Sequence, residues 1–153
     1  MRTIHRDIAA AVLISKDGKI LLARQKPGGR GVFAGKWVIV GGGIEEGEDP
    51  RAALDREFME EIGVDISPYE AELVEESAGE GEKSLRGTGE RVFCKMRFLN
   101  YRVVIHDKHA AEVEVTIDND ELSEYRWFEP PELKNITLPD PSVPFFTKLG
   151  YWK

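Results

Sequence analysis

Three glutamates, Glu57, Glu60 and Glu61, stand three and four residues apart in a stretch, residues 51–62, that contains no Gly, Pro or Thr. On an α-helix, residues at that spacing share a face. The three carboxylates then project within an arc of about 100°. Like charges held so close repel, and a hard divalent cation offsets that repulsion. Clustered oxygen ligands suit Mg²⁺ or Mn²⁺. Arg56, four residues before Glu60, can neutralise part of the cluster. Just upstream, Gly41-Gly42-Gly43 lets backbone carbonyls turn toward a metal and lets phosphates approach closely. A merely solvated acidic helix face is the usual meaning of such a charge run. Here it would leave the glycines, Glu48 and both helix caps unexplained.

The elements that must position these groups are legible nearby. Asp49 is a good N-cap, Pro50 suits the first helical position, and Gly63 is placed to end the helix. Leu54, Phe58 and Ile62 make an i, i+4, i+8 stripe that pins the helix to a core, so its ligands keep a fixed geometry. Residues 7–15 and 20–24 read as strands joined by a turn at 16–19. Residues 27–31 read as a loop, and 37–40 as a short strand leading into the glycines. Residues 67–75 and 91–105 are expected as strands, the second with a turn near Asn100, and 77–90 as an exposed flexible loop. Residues 113–117 and 125–128 add strand-like pieces, and 145–149 a short helix. Strands and helices mix without regular alternation. The expectation is an α+β fold, an α/β/α sandwich with a mixed central sheet.

Composition narrows the functional classes. The chain has 153 residues, enough for one domain with a real core, and residues 1–153 are read as a single domain. No long uncharged apolar run predicts a membrane span. The opening Met-Arg-Thr-Ile-His-Arg-Asp holds no signal-like apolar stretch, so a cytoplasmic protein is expected. Cys94 is the single cysteine and reads as a small core residue. A net charge of −7 argues against binding nucleic-acid polymers. An acidic protein can still take a small phosphorylated ligand, given a metal or a few placed arginines. A monomer or a homodimer is expected.

Gly42 is followed by five residues and Glu48, then by seven more and Arg56-Glu57-Phe58-Met59-Glu60-Glu61-Ile62-Gly63-Val64. This resembles the Nudix hydrolase signature at every defined position. The order of hairpin, signature and trailing strands resembles the family along nearly the whole chain. The resemblance implies a catalytic loop-helix-loop, with a Mg²⁺ or Mn²⁺ cofactor held by Glu57, Glu60, Glu61 and a carbonyl at Gly41. It also implies that Arg56 orients Glu57 and that Glu48 supports the loop or a peripheral cation. The reaction implied is attack of water on the phosphorus of a nucleoside diphosphate linked to another group. Glu121, six residues before Trp127, is similar to a late glutamate that serves as base or extra ligand, and Glu57 is the alternative base. Val40 stands where many members have Pro, a departure that touches no ligand.

The substrate is read from further likenesses. Arg24 is similar to a phosphate-contacting arginine of the MutT-like branch. Residues 30–37 with the glycines resemble a nucleoside triphosphatase branch that prefers pyrimidine deoxynucleotides, with Phe33 or Trp37 as base-stacking candidates. Residues 139–144 resemble the segment that reads the base edge, with Ser142 as the polar candidate. An ADP-ribose or nucleotide-sugar pyrophosphatase is the competing enzyme. It loses weight because Ala78-Gly79-Glu80-Gly81 stands where many of those carry Pro. A non-catalytic nucleotide-sensing module on the same fold is the remaining alternative.

Overall fold

The β-branched and apolar residues of the first half of the chain assemble around one long strand. The computed structural model describes residues 1–29, 32–85, 87–117, 121–139 and 142–151. Strand β1 (Arg2–Ile14) pairs antiparallel with β2 (Ile20–Gln25), and β2 in turn with β3 (Trp37–Val38). Strand β4 (Val40–Gly43) returns to β1. On the other side β1 runs parallel to β6 (Arg91–Val104), which pairs antiparallel with β5 (Ala71–Ser84). Strand β7 (Leu122–Phe128) adds to β2. The sheet is mixed, as expected.

Alternation along β1 divides two cores. Ala9, Ala11 and Leu13 face helix α1 (Pro50–Ile62) and pack with its Leu54, Phe58 and Ile62, all three fully buried. Burying such side chains is worth about 1.5–3 kcal/mol each. Val12 and Ile14 face the opposite way, toward Leu133, Phe145 and Phe146 of a 3-10 helix (Pro130–Asn135) and α2 (Ser142–Lys148). The result is a sheet with helices on both faces. Cys94 is buried in the sheet, as expected.

Helix α1 has the caps read from its sequence. The Asp49 carboxylate accepts from the Arg51 N–H at 2.9 Å, and Gly63 ends the helix at φ 67°.

Several expectations need correction. Residues 77–84 are not a loop but the second half of β5, which pairs residue by residue with β6. Gly81 serves packing there: a Cβ on it would stand 2.6 Å from Val32 Cγ1. There is no turn at Asn100; it lies inside β6, and the irregularity falls on the partner strand between Leu73 and Glu75. Strand β1 starts at Arg2 because β6 pairs with it along its full length. Residues 37–40 split between two partners, β2 and β1. Residues 113–117 form no strand but pack beside the end of α1, where Thr116 N–H donates to Ile62 O at 2.8 Å.

Candidate active site

Helix α1 reaches the sheet beside β4, and there the acidic residues collect. Glu57, Glu60, Glu61, Arg56 and Gly41 all line one cavity of about 810 Å³. Glu57 is buried, with 8% of its surface exposed. Its carboxylate lies directly against Gly42, where any Cβ would collide with it. This close approach is a physical reason for glycine there.

Arg56 ties the cluster together. Its Nε and Nη2 donate to the two Glu48 carboxylate oxygens, each at 2.9 Å. Nη2 also donates to Gly43 O at 2.9 Å, and Nη1 to Glu57 Oε1 at 2.8 Å and Glu60 Oε2 at 3.2 Å. The guanidinium thus binds the glycine strand to the helix. Its hydrogen bonds, with one from the Glu45 N–H, hold the Glu48 carboxyl down at about 2. The same contacts, Glu48 foremost, raise the Arg56 pKa.

Glu57 moves the other way. Burial pushes its pKa up most, Arg56 pulls it back, and the charges of Glu60 and Glu121 push it up again. Glu121 is therefore within electrostatic reach of Glu57, and it lines the same cavity. About sixty residues of sequence are closed by β7, whose first residue Leu122 pairs with Gln25, while Glu121 O accepts from Lys26 N–H at 2.9 Å.

Among the described residues no three acidic or histidine side chains are drawn into a ready cage, and Arg56 Nη1 lies between Glu57 and Glu60 instead. The donors at this end of the cavity are nevertheless all oxygen. Burial foremost, with the charges of Glu60 and Glu121, disfavours the ionised form of Glu57 against the pull of Arg56. Such a set fits a hard divalent cation.

The substrate-side expectations divide. Phe33 and Ser142 line the cavity, from the loop before β3 and from the start of α2. Phe33 packs on Phe98 with ring centroids 6.1 Å apart. Arg24 is not brought to the cavity. Its Nε donates to Gly35 O at 3.1 Å, and Nη1 faces Glu124 at 3.6 Å. Ala23 and Gln25 line the cavity, while Arg24 between them is taken up by the Gly35 and Glu124 contacts. Trp37 packs edge-on against Phe128 in the core, with centroids 5.1 Å apart. Arg30, Gly31, Asp140 and Pro141 of the two resembling stretches lie outside the described residues.

The sequence reading missed Arg6 and Lys83, cations that line the cavity from β1 and β5. It also missed Asn100 and Ser77. The signal was available for Arg6, which sits two residues before Ile8 on the same strand face, but only once β1 was known to start at Arg2.

Residues 4–149 match the NUDIX domain, and the chain belongs to that family. It is 35% identical over 133 residues to the nucleoside triphosphatase NudI of Escherichia coli strain K12, covering 82% of this chain and 84% of the relative. Among solved structures, the MutT protein of Methanosarcina mazei superposes with a TM-score of 0.64 at 22% identity, covering 98% of this chain and 96% of the other. The NUDIX domain of Shewanella oneidensis NrtR, solved with ADP ribose, gives 0.65 at 16% identity, covering 96% and 87%. At those identities the two structures speak for the fold. The chain is a Nudix hydrolase with a MutT-like α+β fold. Among the described residues no helix is long and apolar enough to cross a membrane.

Proposed function

We propose that this chain is a divalent-metal-dependent pyrophosphohydrolase. It cleaves nucleoside triphosphates, deoxypyrimidine ones weakly preferred, to the monophosphate and pyrophosphate. The observation that carries the reading is that Glu57, Glu60, Glu61 and Gly41 line one cavity together with Phe33, Ser142, Arg6 and Lys83. Similarity to a relative named as a nucleoside triphosphatase supports the substrate class.

A bound Mg²⁺ or Mn²⁺ would be held by Glu57, Glu60, Glu61 and the Gly41 carbonyl, and would supply charge neutralisation at the phosphate oxygens. The chain's own groups do the rest. Arg56 orients Glu57, and Glu48 fixes Arg56. The Glu121 carboxylate takes the proton of the water whose oxygen attacks phosphorus, as the bond to the pyrophosphate oxygen breaks. Glu57 is the alternative base. Phe33 offers an apolar face and Ser142 a hydroxyl to the nucleoside, while Arg6 and Lys83 meet phosphate charge. Residues 1–153 act as one domain on small nucleotides, in the cytoplasm, as a monomer or homodimer. The net charge of −7 supports small ligands over polymers.

A pyrophosphate-release assay over a nucleotide panel tests this. Turnover should require Mg²⁺ or Mn²⁺, and Glu61→Gln should remove nearly all of it while leaving the fold intact. Full activity in excess chelator, or ADP-ribose turned over far faster than every triphosphate, would overturn the reading.

A further inference from the structure

The cavity also has a floor whose polar residues the carboxylate cluster leaves unexplained. The floor is one face of the sheet, and the strand registers lay it out in rows. Gly41, Ala10 and Asn100 lie side by side on β4, β1 and β6. Gly43, Ile8, Phe98 and Ser77 form the next row. Neighbouring strands are about 4.8 Å apart, which puts Asn100 roughly 10 Å from Gly41 along its row. That span suits a nucleotide lying with its phosphates at the glycines and its base over β6.

Asn100 is the anomaly of that floor. It is 4% exposed, in a strand whose inward neighbours are Met96 and Phe98. A buried amide is costly unless hydrogen-bonded. Among the described residues its side chain makes one hydrogen bond, Nδ2 donating to Ser77 Oγ at 3.1 Å. That contact fixes the amide and leaves the Oδ1 carbonyl as an acceptor at the cavity. Phe98, two residues earlier, and Phe33, packed on it from the loop, supply apolar surface beside it. An apolar pocket with one placed polar group is the usual form of a recognition site.

We propose that Asn100, braced by Ser77, is a specificity-determining residue. Its Oδ1 accepts an N–H from the edge of a nucleobase lying against Phe33 and Phe98. The inference rests on the nucleotide reading above. Bases differ in where their edges carry imino or amino donors and where they carry acceptors. A donor meeting Oδ1 is accepted. A ligand acceptor meeting it leaves two polar atoms unpaired, and a site built to hydrogen-bond rejects such a ligand strongly.

The test is titration calorimetry of dCMP, dTMP, dAMP and dGMP, in Mg²⁺, against the wild type, Asn100→Leu and Ser77→Ala. Inorganic pyrophosphate serves as the base-free probe, and thermal melts check folding. Wild-type affinities should spread by about tenfold or more between the best and worst base. Asn100→Leu should weaken the best ligand about 10–100-fold, the scale of an unmade buried hydrogen bond, and shrink the spread to within about threefold. Pyrophosphate binding should not change. A wild type that binds all four alike would overturn the proposal. So would a spread that survives in Asn100→Leu, or pyrophosphate affinity that falls along with the nucleotides. If Asn100→Leu does not fold, Ser77→Ala carries the test: loss of about threefold or more in the best affinity supports the brace, and no loss refutes it. Binding is read without turnover. A wild type that hydrolyses no triphosphate would therefore defeat the proposed function while leaving the base preference still measurable.

Discussion

Arg56 grips Glu48 through two hydrogen bonds of 2.9 Å, Nε to Oε2 and Nη2 to Oε1. The pair clamps the loop before α1 onto the body of the helix, and the arginine's third nitrogen is then free to hold Glu57. Lysine has no planar fork and cannot keep both contacts. Arg56→Lys is expected to lower kcat by about 10–100-fold, the usual cost of losing a group that orients a metal ligand.

The same pair sets an acid response. The Glu48 carboxyl sits at about 2 in the folded protein against an ordinary value of 4.5, chiefly because Arg56 donates to it. A depressed folded value means that the pair's stabilisation is full above 4.5 and is lost as the pH falls through about 2. Melting temperatures of wild type and Glu48→Gln should therefore differ by a constant amount above pH 5. The gap should close between about pH 4.5 and 2. A gap that ignores pH would contradict the assignment.

Glu57 carries the opposite sign. Burial raises its pKa, so its charge opposes folding, and the penalty appears as the pH rises through the raised value. In metal-free buffer at pH 7.5, Glu57→Gln should melt higher than wild type, by about 2–4 °C for each kcal/mol relieved. At pH 4 the difference should vanish. Activity with metal should be lost at every pH. A variant that is both inactive and less stable at pH 7.5 would show that the contact with Arg56 outweighs burial.

Gly42 has no room for a side chain, because a Cβ would occupy the place of the Glu57 carboxylate. Gly42→Ala should displace that carboxylate and lower kcat by about 10²-fold, the cost of a misplacement of about 1 Å in an active site. Steady-state kinetics of Gly42→Ala beside Gly43→Ala is the informative comparison, because a Cβ on Gly43 would meet only Arg6 Nη1, at an ordinary 3.7 Å. Equal losses in the two would remove the steric argument.

Glu121 lines the cavity and adds its charge to those acting on Glu57. Glu121→Gln keeps size and hydrogen-bonding capacity but loses basicity. As the base it should lose about 10²–10⁴-fold in kcat with little change in KM. A change under about threefold would return the role to Glu57.

Arg6 faces the cavity, whereas Arg24 is held by Gly35 O and Glu124. Arg6→Gln should raise KM for a nucleoside triphosphate, and Arg24→Gln should leave it nearly unchanged. The reverse order would restore the phosphate contact that family resemblance implied for Arg24.

The acidic helix could be read from the chain alone because everything that defines it is local. The spacing of Glu57, Glu60 and Glu61, the Asp49 and Gly63 caps and the Leu54-Phe58-Ile62 stripe all fall within residues 49–63, where helical periodicity converts spacing directly into geometry. The places of Arg24, residues 77–84 and Asn100 are not legible in the chain, because they depend on partners distant in sequence. Arg24 is held by Gly35 O and by Glu124, and the pairing of β2 with β7 is what brings Glu124 opposite it. Residues 77–84 carry glycine and glutamate, a loop composition. They form a strand because β6 supplies hydrogen bonds along their length. Asn100 looks like a turn residue in isolation, and becomes a buried amide at the cavity floor only when β1, β5 and β6 are laid side by side. Strand propensity is weak without neighbours, and a β-sheet face exists only after its strands are ordered. The sequence by itself therefore determined the acidic helix, its caps and its buried stripe, while the tertiary structure decided which side chains share a cavity with it.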